Sequence, residues 1–287
     1  MPSQATLGRS VSLSGRGYFS GEPVTVELRP APPGHGIVFV RTDCGHDATI
    51  PAHIDYRVPD LRRTTVARGA VRVEMIEHIM AALAGMAVDN CEVAIDAPET
   101  PAFDGSSVAF VEAIDRAGVV EQSYPARSFV VTEPIRVGDD SRWLEARPHD
   151  RPECRLQYEL DYTPFDVIGR QSYECVVGDG DFARDVAPAR SFLLVEEARQ
   201  LRAAGLGRHV TYQDVLVFDD DGPIENRLRY EDECVRHKTL DLIGDLALCG
   251  FRIEGIVVAC RTGHERNAAL AAALARHAAL QQTSRSA

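Results

Sequence analysis

Two nine-residue stretches in opposite halves of the chain, EHIMAALAG at 77–85 and RHKTLDLIG at 236–244, each place histidine second and glycine last. An apolar strand follows each, and the same order of strand, strand, helix, strand, helix surrounds both. VTVELRPAP and RWLEARPHD form a weaker second pair. Self-similarity of this kind marks a duplicated supersecondary unit. It predicts an α+β protein built from two similar units, each with helices on one face of a sheet. The division is placed between 1–124 and 125–282. If the units pack about a pseudo-twofold, the two echoing helices can face each other.

The local patterns fill in this plan. VTVELRPA (24–31) alternates apolar and polar residues and IVFVRTD (37–43) is a second strand candidate, joined by the turn-rich PAPPGHG. A helix is predicted over 74–85 with Gly85 as its C-cap, a strand over 91–97, a helix over 106–118, and a linker over 119–127. The second half reads as strands near 128–136, 142–148, 155–162 and 170–177, a helix near 193–204, a strand near 213–219, a helix over 229–249, a strand over 251–260 and a last helix from 267. The closing TSRSA is expected to fray.

Composition narrows the function. The 287 residues are 45% hydrophobic and 26% charged, enough for a sizeable core, and the net charge of −12 argues against a nucleic-acid partner. A local basic cluster can still oppose that sign for a phosphorylated substrate. No run approaches the roughly 20 apolar residues a membrane span needs, and MPSQATLGRS lacks the apolar stretch of a signal peptide. A cytoplasmic, monomeric protein is expected. The seven cysteines show no close paired spacing and are read as reduced and mostly buried. Of 31 basic residues only one is lysine, Lys238, directly after His237. That position favours a role for a compact ammonium over a planar guanidinium.

The chemistry concentrates in CVRHKTLDLIGD, 234–245. Residues four apart on a helix differ by only ~40° in azimuth, so His237 and Asp241 project side by side. Imidazole nitrogen with carboxylate oxygen suits a divalent ion such as zinc in a site that keeps a position for water. Taken alone, the helix also fits an exposed ionic stripe. The duplication changes the balance, because His78 of the first echo then approaches His237. His78, His237 and Asp241 make three ligands. Glu77 stands beside them, where a carboxylate can accept a proton from the attacking water, although an acid there also suits a helix N-terminus. Cys234 reads as a buried thiol rather than a thiolate ligand. GHERN, 263–267, places His264 between an apolar strand and an alanine-rich helix, and Asp245 can hold its ring and favour the imidazolium. The histidines at 35, 46, 53, 149, 209 and 277 read as surface residues.

Over nearly its whole length the chain resembles the bacterial UDP-3-O-acyl-N-acetylglucosamine deacetylases, zinc enzymes of lipid A synthesis. The resemblance lies in SGRGYFSGEPVTVELRPAPPGHGIVFVRTD, RRTTV, EHIMAALAGMAVDNCEVAIDAPETPAFDGSS, ARSF, EDECVRHKTLDLIGDL and GHERN. It implies two α+β sandwich domains with the helices between the sheets, the active site at their interface and a short insert in each. It implies zinc, replaceable by Fe²⁺, on His78, His237 and Asp241. Glu77 is then the general base and His264 the cationic partner, oriented by Asp245. Ser191 stands where the family commonly has threonine, its hydroxyl available to the oxyanion, while Lys238 and Phe192 bind substrate, a UDP-linked acylated N-acetylglucosamine.

The chain departs from the family pattern in GYFSG, with Phe19 in a histidine's place, in EMI before Glu77, and in the insert GLGRHVTYQDVLVF. The equivalent insert in the family borders an apolar passage for the acyl chain. Here Arg208, His209 and Tyr212 make it more polar. Two other functions fit the same residues: a paralogous zinc N-deacetylase for a different N-acetyl sugar nucleotide, and a non-catalytic sugar-nucleotide-binding protein of the same fold.

Overall fold

A computed structural model describes residues 2–45 and 48–285. His46 and the last two residues of TSRSA lie outside them. The first half opens with β1 (Ser3–Leu7), β2 (Val11–Arg16), β3 (Pro23–Pro30), β4 (Ile37–Arg41) and β5 (Thr49–Pro51). A three-stranded insert follows: β6 (Arg57–Val58), β7 (Thr65–Arg68) and β8 (Val71–Val73). Then come α1 (Glu77–Gly85), β9 (Cys91–Ile95), α2 (Val108–Ala117) and β10 (Val119–Pro125). The main sheet runs β2-β3-β9-β4-β5. In β3 the alternation turns Val24, Val26 and Leu28 into the core. The segment expected to be a linker, 119–127, is instead mostly strand, because β10 pairs antiparallel with β1. Its side chains are nearly all exposed, so no apolar alternation marks it.

The second half comprises β11 (Ser128–Val130), β12 (Ile135–Gly138), β13 (Trp143–Arg147), β14 (Cys154–Asp161) and β15 (Arg170–Val176). It continues with α3 (Phe182–Asp185), β16 (Phe192–Leu194), α4 (Val195–Ala203), β17 (Leu216–Phe218), α5 (Glu233–Ala247), β18 (Arg252–Cys260) and α6 (His264–Arg285). Its sheet runs β12-β13-β18-β14-β15, with β11 also on β18. β18 lies between β13 and β14, which explains its near-continuous apolar run. The strand read over 128–136 is two strands, one on β18 and one on β13. The last helix starts at His264, not 267, because the Gly263 carbonyl accepts the amides of Arg266 and Asn267. Among the described residues no helix is long and apolar enough to cross a membrane.

α1 and α5 form the centre, buried almost all round. A helix in that position is normally apolar on every face, so its ionisable residues are conspicuous. The glycines that end the two echoes serve close approach. A Cβ on Gly85 would enter the ring of Phe182, and a Cβ on Gly244 would enter the carbonyl of Glu77. Gly85 is the last helical residue and Met86 is the cap, so the C-cap expectation for Gly85 is corrected. Gly244→Ala must push α5 off α1, at a cost of about 1–3 kcal/mol for overpacking. Urea unfolding should show that loss.

Candidate active site

The helix crossing places three ligand-type side chains together. The ring centroids of His78 and His237 are 5.2 Å apart at 87°. Asp241 Oδ1 lies 3.7 Å from His78 Nε2 and 3.4 Å from His237 Nε2. One ligand atom from each of the three falls within 4.8 Å of the others, and all three residues are buried. His237 Nδ1 faces the Ala189 carbonyl at 3.1 Å, which fixes that nitrogen as the donor and leaves Nε2 as the ligand atom. Burial pushes the His237 pKa down to about 3, so the ring is neutral, as a ligand must be. Burial alone would raise Asp241, but the Lys238 ammonium beside it holds it well below the usual carboxylate range. Two imidazoles and one carboxylate fit a divalent cation with a position to spare.

Around this cluster stand the proton-transfer candidates. Glu77 is 2% exposed, and its Oε2 accepts the Thr64 amide at 2.9 Å. Burial raises its pKa against the opposing pull of His264 and His78. His264, the first residue of α6, places Nδ1 2.9 Å from Asp245 Oδ2 and Nε2 4.0 Å from Asp241 Oδ2. Burial presses the His264 pKa down, yet the charge and hydrogen bond of Asp245, with Asp241 and Glu77, outweigh it and carry it to about 9. Two residues that the sequence reading passed over complete the group. Thr64 Oγ1 donates to Asp245 Oδ1 at 2.5 Å, and Asn267 Nδ2 donates to Asp245 Oδ2 at 2.8 Å. Their only signal was membership of RRTTV and GHERN, and nothing local sets Thr64 apart from Thr65.

The Ala189 carbonyl is itself anchored. The next residue, Arg190, lies buried against Glu233 in the first turn of α5, with Nε 2.8 Å from Oε1 and Nη2 3.1 Å from Oε2. Asn226 accepts from its Nη1 and the Arg227 carbonyl from its Nη2. Glu233→Ala leaves that guanidinium buried without its counter-charge, so unfolding by urea should show a loss of about 3–5 kcal/mol.

A model of the family described as UDP-3-O-acyl N-acetylglycosamine deacetylase matches residues 4–276. The chain belongs to that deacetylase family. A Myxococcus xanthus protein named UDP-3-O-acyl-N-acetylglucosamine deacetylase is 42% identical over 267 residues, 92% of this chain and 83% of the relative. Relatives of the same name from Anaeromyxobacter sp. and Brucella ovis are each 39% identical, covering 93% and 94% of this chain and 86% and 94% of their own lengths.

In this member of the deacetylase family, Lys238 Nζ sits 2.6 Å from Asp241 Oδ2 and 5.8 Å from the centre of the Phe192 ring. Phe192 in turn packs edge-on to His237 at 6.2 Å. Ser191 enters differently: its hydroxyl donates to the Gly105 carbonyl at 3.2 Å, with no direct bond to the cluster. Cys234 is a buried free thiol outside the cluster. Only Cys91, Cys234 and Cys249 are fully buried, while Cys44 is exposed. The described histidines at 35, 53, 149, 209 and 277 are exposed or half-buried and stand apart from the cluster.

The departures from the family pattern meet one another. The Phe19 carbonyl accepts the Gly207 amide, and the Phe19 ring stacks under the Arg63 guanidinium at 4.4 Å. Tyr212 joins Tyr18, Leu193, Leu201, Val215 and Val217 in a small apolar cluster, while Arg208 and His209 point outward. The cavity these side chains border is small, about 30 Å³.

Proposed function

We propose that the protein hydrolyses the N-acetyl group of UDP-3-O-acyl-N-acetylglucosamine and releases acetate, in lipid A synthesis, with zinc held by His78, His237 and Asp241. The observation that carries this reading is the buried three-ligand cluster with Glu77 on one side and the His264–Asp245 pair on the other. Zinc in such a site acts as a Lewis acid toward an amide carbonyl and lowers the pKa of water. The chain's own residues supply the rest. Glu77 takes the proton of the attacking water, helped by a carboxyl whose pKa burial has raised toward that of its proton source. His264, held protonated at neutral pH, stabilises negative charge as it grows on the acetamide oxygen. Asp245 sets its ring, and Ser191 adds a hydroxyl after turning from Gly105. Lys238 and Phe192 hold the sugar nucleotide. The halves 1–124 and 125–282 act as two domains from an internal duplication, a reading supported by their shared strand order.

The tight apolar cluster of the second insert favours a second reading, in which the substrate carries a short acyl chain or none. Acetate release from zinc-loaded protein tests both. Release from the acylated sugar nucleotide supports the main proposal. Release from the non-acylated one supports the second. Zinc and UDP binding without acetate points to a non-catalytic protein.

A further inference from the structure

Glu77 and Asp245 belong to helices from opposite halves of the chain, yet one residue touches both. Thr64 is 1% exposed. Its amide donates to Glu77 Oε2 at 2.9 Å, and its hydroxyl lies 2.5 Å from Asp245 Oδ1 and 3.3 Å from His264 Nδ1. A hydroxyl has one proton to give. His264 already faces Asp245 Oδ2, so the threonine proton goes to Oδ1 and the carboxylate receives three donors, the third from Asn267. The place of Thr64 is fixed in turn. Its carbonyl accepts the Ile76 amide at 3.2 Å. On one side Arg63 is paired with Asp60 and Glu74. On the other, the Thr65 hydroxyl donates to Asp60 at 2.8 Å.

We infer that Thr64 is a positioning residue for proton transfer, keeping the base on α1 and the acid pair on α5 and α6 in register through one amide and one hydroxyl. The inference rests on the proposed reaction. It also gives the first insert a task, as a bracket that carries Thr64 to the helix crossing. Without the hydroxyl, one oxygen of Asp245 is buried and unpaired, so the carboxylate turns and the His264 ring loses its fixed orientation.

The test compares Thr64→Val and Thr64→Ser in the full-length, zinc-loaded protein. Valine keeps the shape and the amide and removes only the hydroxyl. The expected result is a fall in kcat of roughly 10–100-fold for valine, the range seen when a supporting hydrogen bond is removed. KM and zinc content should stay unchanged, and serine should recover most of the rate. The His264 Nδ1 proton, followed by ¹⁵N-histidine NMR, should remain protected in wild type and Thr64→Ser and exchange away in Thr64→Val. Valine at the wild-type rate, serine as impaired as valine, or a rate loss with the resonance unchanged would each overturn the inference. If the wild type releases no acetate, the proposed reaction fails, and the NMR comparison alone decides the part played by Thr64. Should Thr64→Val not fold, Thr64→Ala gives the same two-way reading.

Discussion

His237→Ala is expected to purify without stoichiometric zinc and to show no turnover above background. The ring offers one of two nitrogens in a three-residue group able to hold a metal, and its Nε2 is aimed by the Ala189 carbonyl behind it. Removing it leaves His78 and Asp241, a chelate with half the nitrogen donors and an open side. Alanine also leaves a hole where a buried ring packed against His78 and Phe192, so some loss of stability accompanies the loss of metal. Metal analysis after dialysis, with circular dichroism to confirm folding, separates the two effects. A folded variant that still carries one zinc per chain removes His237 from the ligand set.

Glu77→Ala should do the opposite: keep its zinc and lose most of its turnover, typically 10²–10⁴-fold for a general base. The competing view makes Glu77 a helix N-terminal acid, whose interaction with the macrodipole contributes about 0.3–1 kcal/mol. Under that view the variant melts a little earlier and turns over normally. The carboxylate is buried beside His264 and pairs with the Thr64 amide, a setting suited to proton transfer more than to a solvated cap. Glu77→Gln, which preserves shape and hydrogen bonding to that amide, sharpens the comparison. A glutamine variant at the wild-type rate would take Glu77 out of the mechanism.

The chain announced its ligand-type residues and hid their supports. His78, His237 and Asp241 were legible because an i, i+4 pair and an echoed histidine can be seen in one dimension, and the structure brings the three together. Thr64 was not legible, since its importance comes from meeting Glu77 and Asp245 at once, and no local pattern records such a meeting. β3, with one buried face, was legible by alternation. β10 was missed because its order comes from backbone pairing with β1, and its exposed side chains look like those of a loop. Gly85 and Gly244 were visible as glycines, but the reason for them, a ring and a carbonyl pressed against the backbone, lies in the packing of distant segments.

Because the three ligand-type residues sit on α1 and α5, more than half the chain must leave the ribosome before a cation could find a complete berth. The amino-terminal part, made first, carries one histidine of the set and neither of its companions. Metal capture at this cluster would therefore be a late event in the life of each molecule. If an ion is held there, it rivets the two halves, so that removing it would slacken the joint as well as silence the proposed chemistry.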